Sequence, residues 1–219
     1  MCFSPTASFS AGVALSAIGI LSLRRVEKPR QIMFASIPFV FALQQITEGV
    51  LWLSLTDSSL AYLKDVSMYL FMVFAQIIWP IWVPLSILLL EDKRLRQKLL
   101  FVFTGIGLVV SMYLTYCLMA FPLNATIADH HIQYQLDYPM GIISKGVTLY
   151  FLAIIFTPFF SGINKMWLVG LLVLTSFSIA KIFYVNYVIS VWCFFAAIIS
   201  LVVLYMMPRI TAHHLDKAE

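Results

Sequence analysis

The chain has 219 residues, of which 62% are hydrophobic and only 11% charged, with a mean hydropathy of +0.94. Soluble domains are about half apolar and about a quarter charged, so a water-soluble fold is excluded. The formal charge of +4 is no sign of a nucleic-acid partner, because the basic residues are confined to particular loops.

A helix that crosses a hydrocarbon core needs about 20 mostly apolar residues, since lipid offers no water to satisfy backbone groups. In chain order the sequence supplies Ala7 to Leu23, Gln31 to Leu55, Val66 to Leu90, Leu99 to Ala120, Met140 to Phe160, Met166 to Val185 and Tyr187 to Met207. The expectation is an all-α polytopic membrane protein, a bundle of about seven transmembrane helices forming a single transmembrane domain over residues 1–219. No basic segment precedes the first span, and Arg24 and Arg25 follow it, so it reads as a retained helix rather than a cleaved signal. Little chain is left between the spans, and any chemistry has to sit between helices or in short loops. The sequence shows no internal repeat and no low-complexity segment.

With these spans, Arg24–Arg30, Glu91–Lys98, Lys165 and the C-terminal tail carry eleven Lys and Arg on one side, against Lys64, Lys145 and Lys181 on the other. Basic loops stay in the cytoplasm, which places the N-terminus outside and the C-terminus inside. The tightest junction is the turn at Asn186, between the sixth and seventh spans.

The longest exterior segment is Phe121 to Pro139. Ile132, Tyr134, Leu136 and Tyr138 alternate there with Gln133, Gln135 and Asp137, the period of a strand with one buried face. A short extracytoplasmic strand or hairpin is expected between helices 4 and 5, turning near Asp129 and His130. It would lie over the outer helix ends, either as a lid on a pocket or as a packed loop.

An ionisable group at membrane depth is costly unless it faces the bundle interior and finds a partner. Glu48 lies seven residues before the outer end of the second span, roughly 10 Å down at the helical rise. Gln44 is one turn below it and Gln45 adjacent, so the three form a polar stripe aimed into protein. They could serve as hydrogen-bond glue between helices, with Gly49 permitting close approach, or as a ligand or proton site. Lys181, on the outer half of the sixth span, could snorkel to the interface, pair with Glu48, or hold an anionic ligand with Ser178 one turn further in. A retinal-type Schiff base at Lys181 is disfavoured by its place near the end of the penultimate helix. In the third span Gln76 is followed by Trp79-Pro80-Ile81-Trp82-Val83-Pro84. Two prolines free carbonyls and kink or break a helix, which is tolerated beside a cavity or another helix. Pro38 and Pro158 could act likewise.

Cys2, Cys117 and Cys193 all map to the outer half of the membrane or just beyond it. With His130 and His131 in the exterior loop, Cys2 could contribute to a soft-metal site, assembled with Glu48 or Asp129. No Cys-x-x-Cys or His-x-x-x-His spacing supports this, and a disulfide from Cys2 to either other cysteine is an equal alternative in an oxidising periplasm. Removal of Met1 would expose Cys2 as an N-terminal nucleophile. His213 and His214 read as solvated tail residues.

The opening Met1-Cys2-Phe3-Ser4-Pro5-Thr6-Ala7-Ser8-Phe9, the Leu23-Arg24-Arg25 that follows the first span, and Leu43-Gln44-Gln45-Ile46-Thr47-Glu48-Gly49-Val50-Leu51-Trp52 resemble the signature of a family of uncharacterised bacterial multi-pass membrane proteins. The likeness covers about the first quarter of the chain. It implies a bacterial inner-membrane location and an N-terminal segment that belongs to the fold, and it carries no activity.

Three functions are compatible with these features. The first is an integral inner-membrane protein with an outward-facing polar pocket bounded by Gln44, Gln45, Glu48, Gln76 and Lys181, binding or transporting a small polar molecule or proton. The second is a membrane-embedded enzyme with a Cys2- or metal-dependent extracytoplasmic site. The third is a sensor or assembly component whose polar residues only fix packing. The bilayer is the one partner the sequence names, beside a small-molecule ligand; it specifies no cofactor and no oligomeric state.

Overall fold

The computed structural model describes residues 4–139, 146 and 148–215. Among these residues five helices are long and apolar enough to cross a membrane: α1 (Pro5–Leu23), α2 (Pro29–Thr56), α3 (Ser58–Leu90), α4 (Arg94–Ala120) and α7 (Val185–Ala212). Two shorter apolar helices, α5 (Thr148–Phe160) and α6 (Trp167–Phe183), lie between α4 and α7 in the chain. The expected fifth span opens at Met140, outside the described residues. Elsewhere the helices start two to eight residues earlier than hydropathy suggests or, for α6, one later. The early starts arise because capping and polar residues extend a helix beyond its apolar stretch. In α1, for example, Ser4 accepts a hydrogen bond from the Ala7 amide at 3.2 Å and Pro5 takes the first turn, where a missing N–H costs nothing.

α1 and α2 run antiparallel in close contact. A Cβ on Gly12 would come within 2.7 Å of the Ile46 side chain, and one on Gly19 within 3.0 Å of Phe39. Small residues at such seams let backbones approach where no hydrophobic force drives association.

The loops gather by kind. At one end of the bundle Arg30 pairs with Asp92 at 2.6 Å, Arg25 donates to the Leu204 carbonyl at 3.0 Å, and Gln31 donates to Thr211. The buried Glu91 carboxylate accepts from the amides of Asp92, Lys93 and Gly162 there, tying the α3–α4 link to the α5–α6 link. At the other end stands the hairpin of β1 (Leu123–Ala128) and β2 (His131–Leu136), antiparallel with Ala128 opposite His131. Its two-residue turn falls at Asp129 and His130, with φ of 47° and 61°, the double left-handed geometry of a type I′ turn. Leu123, Ala125 and Ile132 are buried against Leu51, Phe71 and Met72, and Tyr134 stacks on Phe71 at 5.0 Å. The hairpin is thus a packed element.

Proline determines how two helices unwind. Val73–Ile78 of α3 and Leu152–Phe156 of α5 are π-helical, each ending just before a proline, Pro80 or Pro158. In α3 the Trp79 amide bonds back to Phe74, so the next carbonyl, that of Ala75, faces a residue 80 without an N–H. The Tyr150 hydroxyl donates to it at 2.6 Å. In α5 the Thr157 hydroxyl donates to the Ala153 carbonyl, five residues before Pro158. Two further prolines repeat the pattern. Pro84 leaves the Pro80 carbonyl against the backbone of Gly107, where a Cβ would fall 1.8 Å away, and Pro208 leaves the Leu204 carbonyl to Arg25. Pro38 sits just past a break in α2 at Ser36, where the Met33 carbonyl accepts from Ser36 and from the Trp82 indole.

Candidate functional site

Both π-helical segments border a cavity of about 380 Å³ between α2, α3, α4, α5, α6 and α7. The wider turn of a π-helix displaces side chains from α-helical register and recurs at functional sites. Here Ala75 and Gln76 line the space from α3, and Tyr150, Phe151 and Ile154 line it from α5.

The walls change character along the bundle axis. Toward the end that carries the basic loops they are Phe34, Ile37, Val83, Ile87, Val169 and Ile199, and beyond these the buried Leu90, Leu100, Met166 and Met206 close the core. At mid-height aromatic rings form a waist: Phe151 lies 3.9 Å from Phe177 and 5.9 Å from Trp192, ring centre to ring centre, and Trp192 donates to Ser176 at 3.0 Å. Among the described lining residues, the amide and ammonium side chains stand toward the hairpin. Gln44 accepts from the Trp79 indole at 2.8 Å, and Gln76 accepts from the Tyr138 hydroxyl at 2.9 Å. Tyr138 follows β2 and, with Leu136, brings the hairpin to the cavity wall. Burial pushes the Tyr138 phenol up to about 12. Lys181 stands at the same end, largely exposed; among the described residues it is the one charged side chain lining the cavity.

The residues singled out from the sequence therefore divide. Gln44, Gln76 and Lys181 border the cavity. Gln45 and Glu48, 2% and 0% exposed, turn to a different neighbour: Glu48 accepts from Ser190 of α7 at 2.7 Å and from Gln45 at 3.3 Å. Glu48 and Lys181 form no ion pair, the pair among the described residues being Arg30–Asp92. Ser178 bonds to its own helix at Leu174 and does not assist Lys181.

His130 is exposed at the hairpin turn, whereas His131 is buried, stacked on Tyr187 at 4.7 Å. Its Nδ1 lies 2.6 Å from the Asp129 carbonyl oxygen, and the Tyr187 hydroxyl donates to the Asp129 carboxylate at 2.9 Å. Among the described residues no three His, Cys, Asp or Glu side chains come together as a metal site requires. Cys117 carries a free, fully buried thiol. Cys2 and the Cys193 side chain lie outside the described residues, as do the side chains of His213 and His214.

With the cavity and its polar end defined, comparison with known proteins adds the family. A family model described as a family of unknown function, DUF6629, matches residues 1–217. The chain belongs to that family. No curated protein and no solved structure matches it. The DUF6629 match takes in both the opening Met1-to-Phe9 segment and the Gln44-to-Trp52 stretch, so they lie in a single family region.

Sequence reasoning missed Ser190, Tyr150 and the aromatic waist. A small hydroxyl residue inside the apolar Ile189-Ser190-Val191-Trp192 was a usable signal for the first. The waist had none, because aromatic residues in an apolar helix look alike whether they face lipid or a cavity.

Proposed function

We propose that this protein is a bacterial inner-membrane protein of seven transmembrane helices, N-terminus outside and C-terminus cytoplasmic, that binds or transports a small molecule within its bundle. The cavity walled by two π-helical segments carries this reading, since such a space inside an otherwise close-packed core is the default place for a ligand. The bias of eleven Lys and Arg against three supports the orientation, as does the gathering of the α1–α2, α3–α4 and α5–α6 links at one end of the bundle. The hairpin then stands on the outer side, and Lys181, Gln76 and Tyr138 face the exterior.

Glu48 belongs to this reading only indirectly. Its bonds to Ser190 and Gln45 favour the glue role for that pair of residues, while Gln44 on the same helix serves the cavity. The bilayer is the surrounding partner, and nothing in the charge pattern calls for nucleic acid.

The test is ligand-dependent stability of the purified protein in nanodiscs. A ligand that binds only the folded state raises the melting temperature with its concentration. Screening small polar and amphipathic compounds should find at least one that stabilises wild type, with the effect abolished by Val173→Phe, which fills the cavity. If nothing stabilises wild type differently from Val173→Phe, the cavity is not a binding site.

A further inference from the structure

Granting that the cavity is a ligand site, we propose that its occupant is a single-chain amphiphile with an anionic headgroup, its chain lying toward the cytoplasmic end and its headgroup at Lys181. The inference rests on the order of groups along the cavity. Lining residues run from Lys181 to Val169 on α6 and from Gln76 to Ile87 on α3, about 16–18 Å at the helical rise. That is a long, narrow space rather than a round one. Among the described residues its inner two-thirds present only apolar and aromatic side chains, so a compact polar molecule placed there would lose its hydration with nothing in return.

The outer end supplies the complement to an anion. Lys181 makes no hydrogen bond or ion pair with any described residue. Gln76 has its oxygen taken by Tyr138, and its amide nitrogen has no acceptor among the described residues, so it presents N–H donors. Among the described residues no acidic side chain lines the cavity, and Glu48, the nearest in sequence to the cavity-lining Gln44, is turned toward Ser190. A carboxylate or phosphate headgroup would meet one ammonium and one amide donor there, a charge-assisted arrangement. A cationic headgroup would meet only repulsion. Whether the anion is a free fatty acid or a lysophospholipid is a question of headgroup source, and both share this chemistry.

Tryptophan provides the readout, because Trp79 and Trp192 both line the cavity. Protein in nanodiscs of zwitterionic lipid is titrated with hexadecanoate, lysophosphatidate, hexadecanol, hexadecyltrimethylammonium and hexanoate, following saturable quenching by their brominated forms and the melting temperature. Hexadecanoate or lysophosphatidate should saturate the protein and raise its melting temperature, with hexadecanol weaker by about tenfold, as expected for loss of one charge-assisted contact. Whichever of the two anions binds tighter identifies the source. Lys181→Gln should erase the preference of the anions over hexadecanol, and Val173→Phe should abolish saturation. Should Val173→Phe fail to fold, the Lys181→Gln comparison in an otherwise native cavity decides. Equal or tighter binding of the cationic amphiphile, or a preference that survives Lys181→Gln, overturns the inference. Stabilisation by hexanoate or another compact polar compound, with none by the long-chain anions, overturns it and leaves the binding-site reading standing. No stabilisation by any compound overturns both.

Discussion

The Tyr150 hydroxyl of α5 donates to the Ala75 carbonyl of α3 across 2.6 Å, joining the two helices that unwind into π-helical turns beside the cavity. The bond exists because Pro80 removes the amide that would otherwise reach that carbonyl. Cavity wall and helix defect are therefore one construction. Where a carbonyl is freed in a medium without water, a side chain can supply the donor, from a neighbouring helix as Tyr150 does here or from the same helix as Thr157 does for Ala153.

Tyr150→Phe should therefore destabilise the protein by about 1–3 kcal/mol, the cost of leaving a buried acceptor unmade. Its ring would keep its packing, so the loss reports the hydroxyl. Combining it with Pro80→Ala restores a main-chain amide to the π-helical turn, and the two substitutions should be non-additive by about 1 kcal/mol in a double-mutant cycle. Denaturation of the four proteins in one detergent measures this; additive losses would show that Tyr150 does not serve the carbonyl freed by Pro80.

Gly107 and Gly105 offer a matched comparison on α4. A Cβ at Gly107 would lie 1.8 Å from the Pro80 oxygen, whereas at Gly105 nothing lies within 4 Å. Gly107→Ala must push two backbones apart and should cost at least about 2 kcal/mol, in the range of overpacked cores. Gly105→Ala should be neutral or stabilising by up to about 1 kcal/mol, through helix propensity alone. Melting temperatures of the two variants check the pair directly.

The hydropathy pattern made the helices legible, and the alternation from Ile132 to Tyr138 with Asp129-His130 at the turn made the hairpin legible. Both are local signals, one of length and one of period. The depth of Gln44, Gln45 and Glu48 was legible too, because a polar residue inside an apolar helix has to face protein. Their division between two neighbours was not. Gln44 and Gln45 differ by one residue, about 100° around a helix, and which neighbour each meets depends on where α3 and α7 pack. The π-helical turns were only half legible: Trp79-Pro80 announces a break, but its form depends on whether a donor such as Tyr150 stands opposite.

Glu48 and Ser190 give a test of the helix-packing role. Ser190→Ala removes one of the hydrogen bonds to a fully buried carboxylate and should cost about 1–3 kcal/mol. Glu48→Gln keeps an acceptor for Ser190 and should cost less than Glu48→Ala, which removes the acceptor of both the Ser190 and the Gln45 bond. If these residues only fix packing, none of the three substitutions should change ligand affinity in nanodiscs once stability is accounted for. Selective loss of binding in Glu48→Gln at unchanged melting temperature would place the carboxylate in the binding machinery instead.

Tyr138 predicts a pH dependence confined to alkaline conditions. Burial holds the phenol protonated to about 12, against an ordinary value of 10.0. A group that keeps its proton longer in the folded state than in the unfolded one stabilises the fold below the unfolded value, and the contribution fades as pH rises from 10 through about 12. Tyr138→Phe lacks the titrating group, so its stability should fall less steeply over that window. Thermal melts of both proteins across the window give the two slopes, and equal slopes would mean that the Tyr138 hydroxyl reaches solvent in the folded protein.

The hairpin turn allows a gain of stability. His130 is exposed with φ of 61° and has no Cβ-free backbone to ease that conformation. The left-handed region costs a residue with a side chain about 1–2 kcal/mol, whereas glycine enters it freely but loses more entropy on folding. His130→Gly should therefore stabilise by up to about 1 kcal/mol and, more specifically, slow amide exchange at Ala128 and His131, the paired residues that flank the turn. Hydrogen exchange with mass spectrometry resolves that segment, and unchanged or faster exchange in His130→Gly would mean that the imidazole itself holds the turn in place.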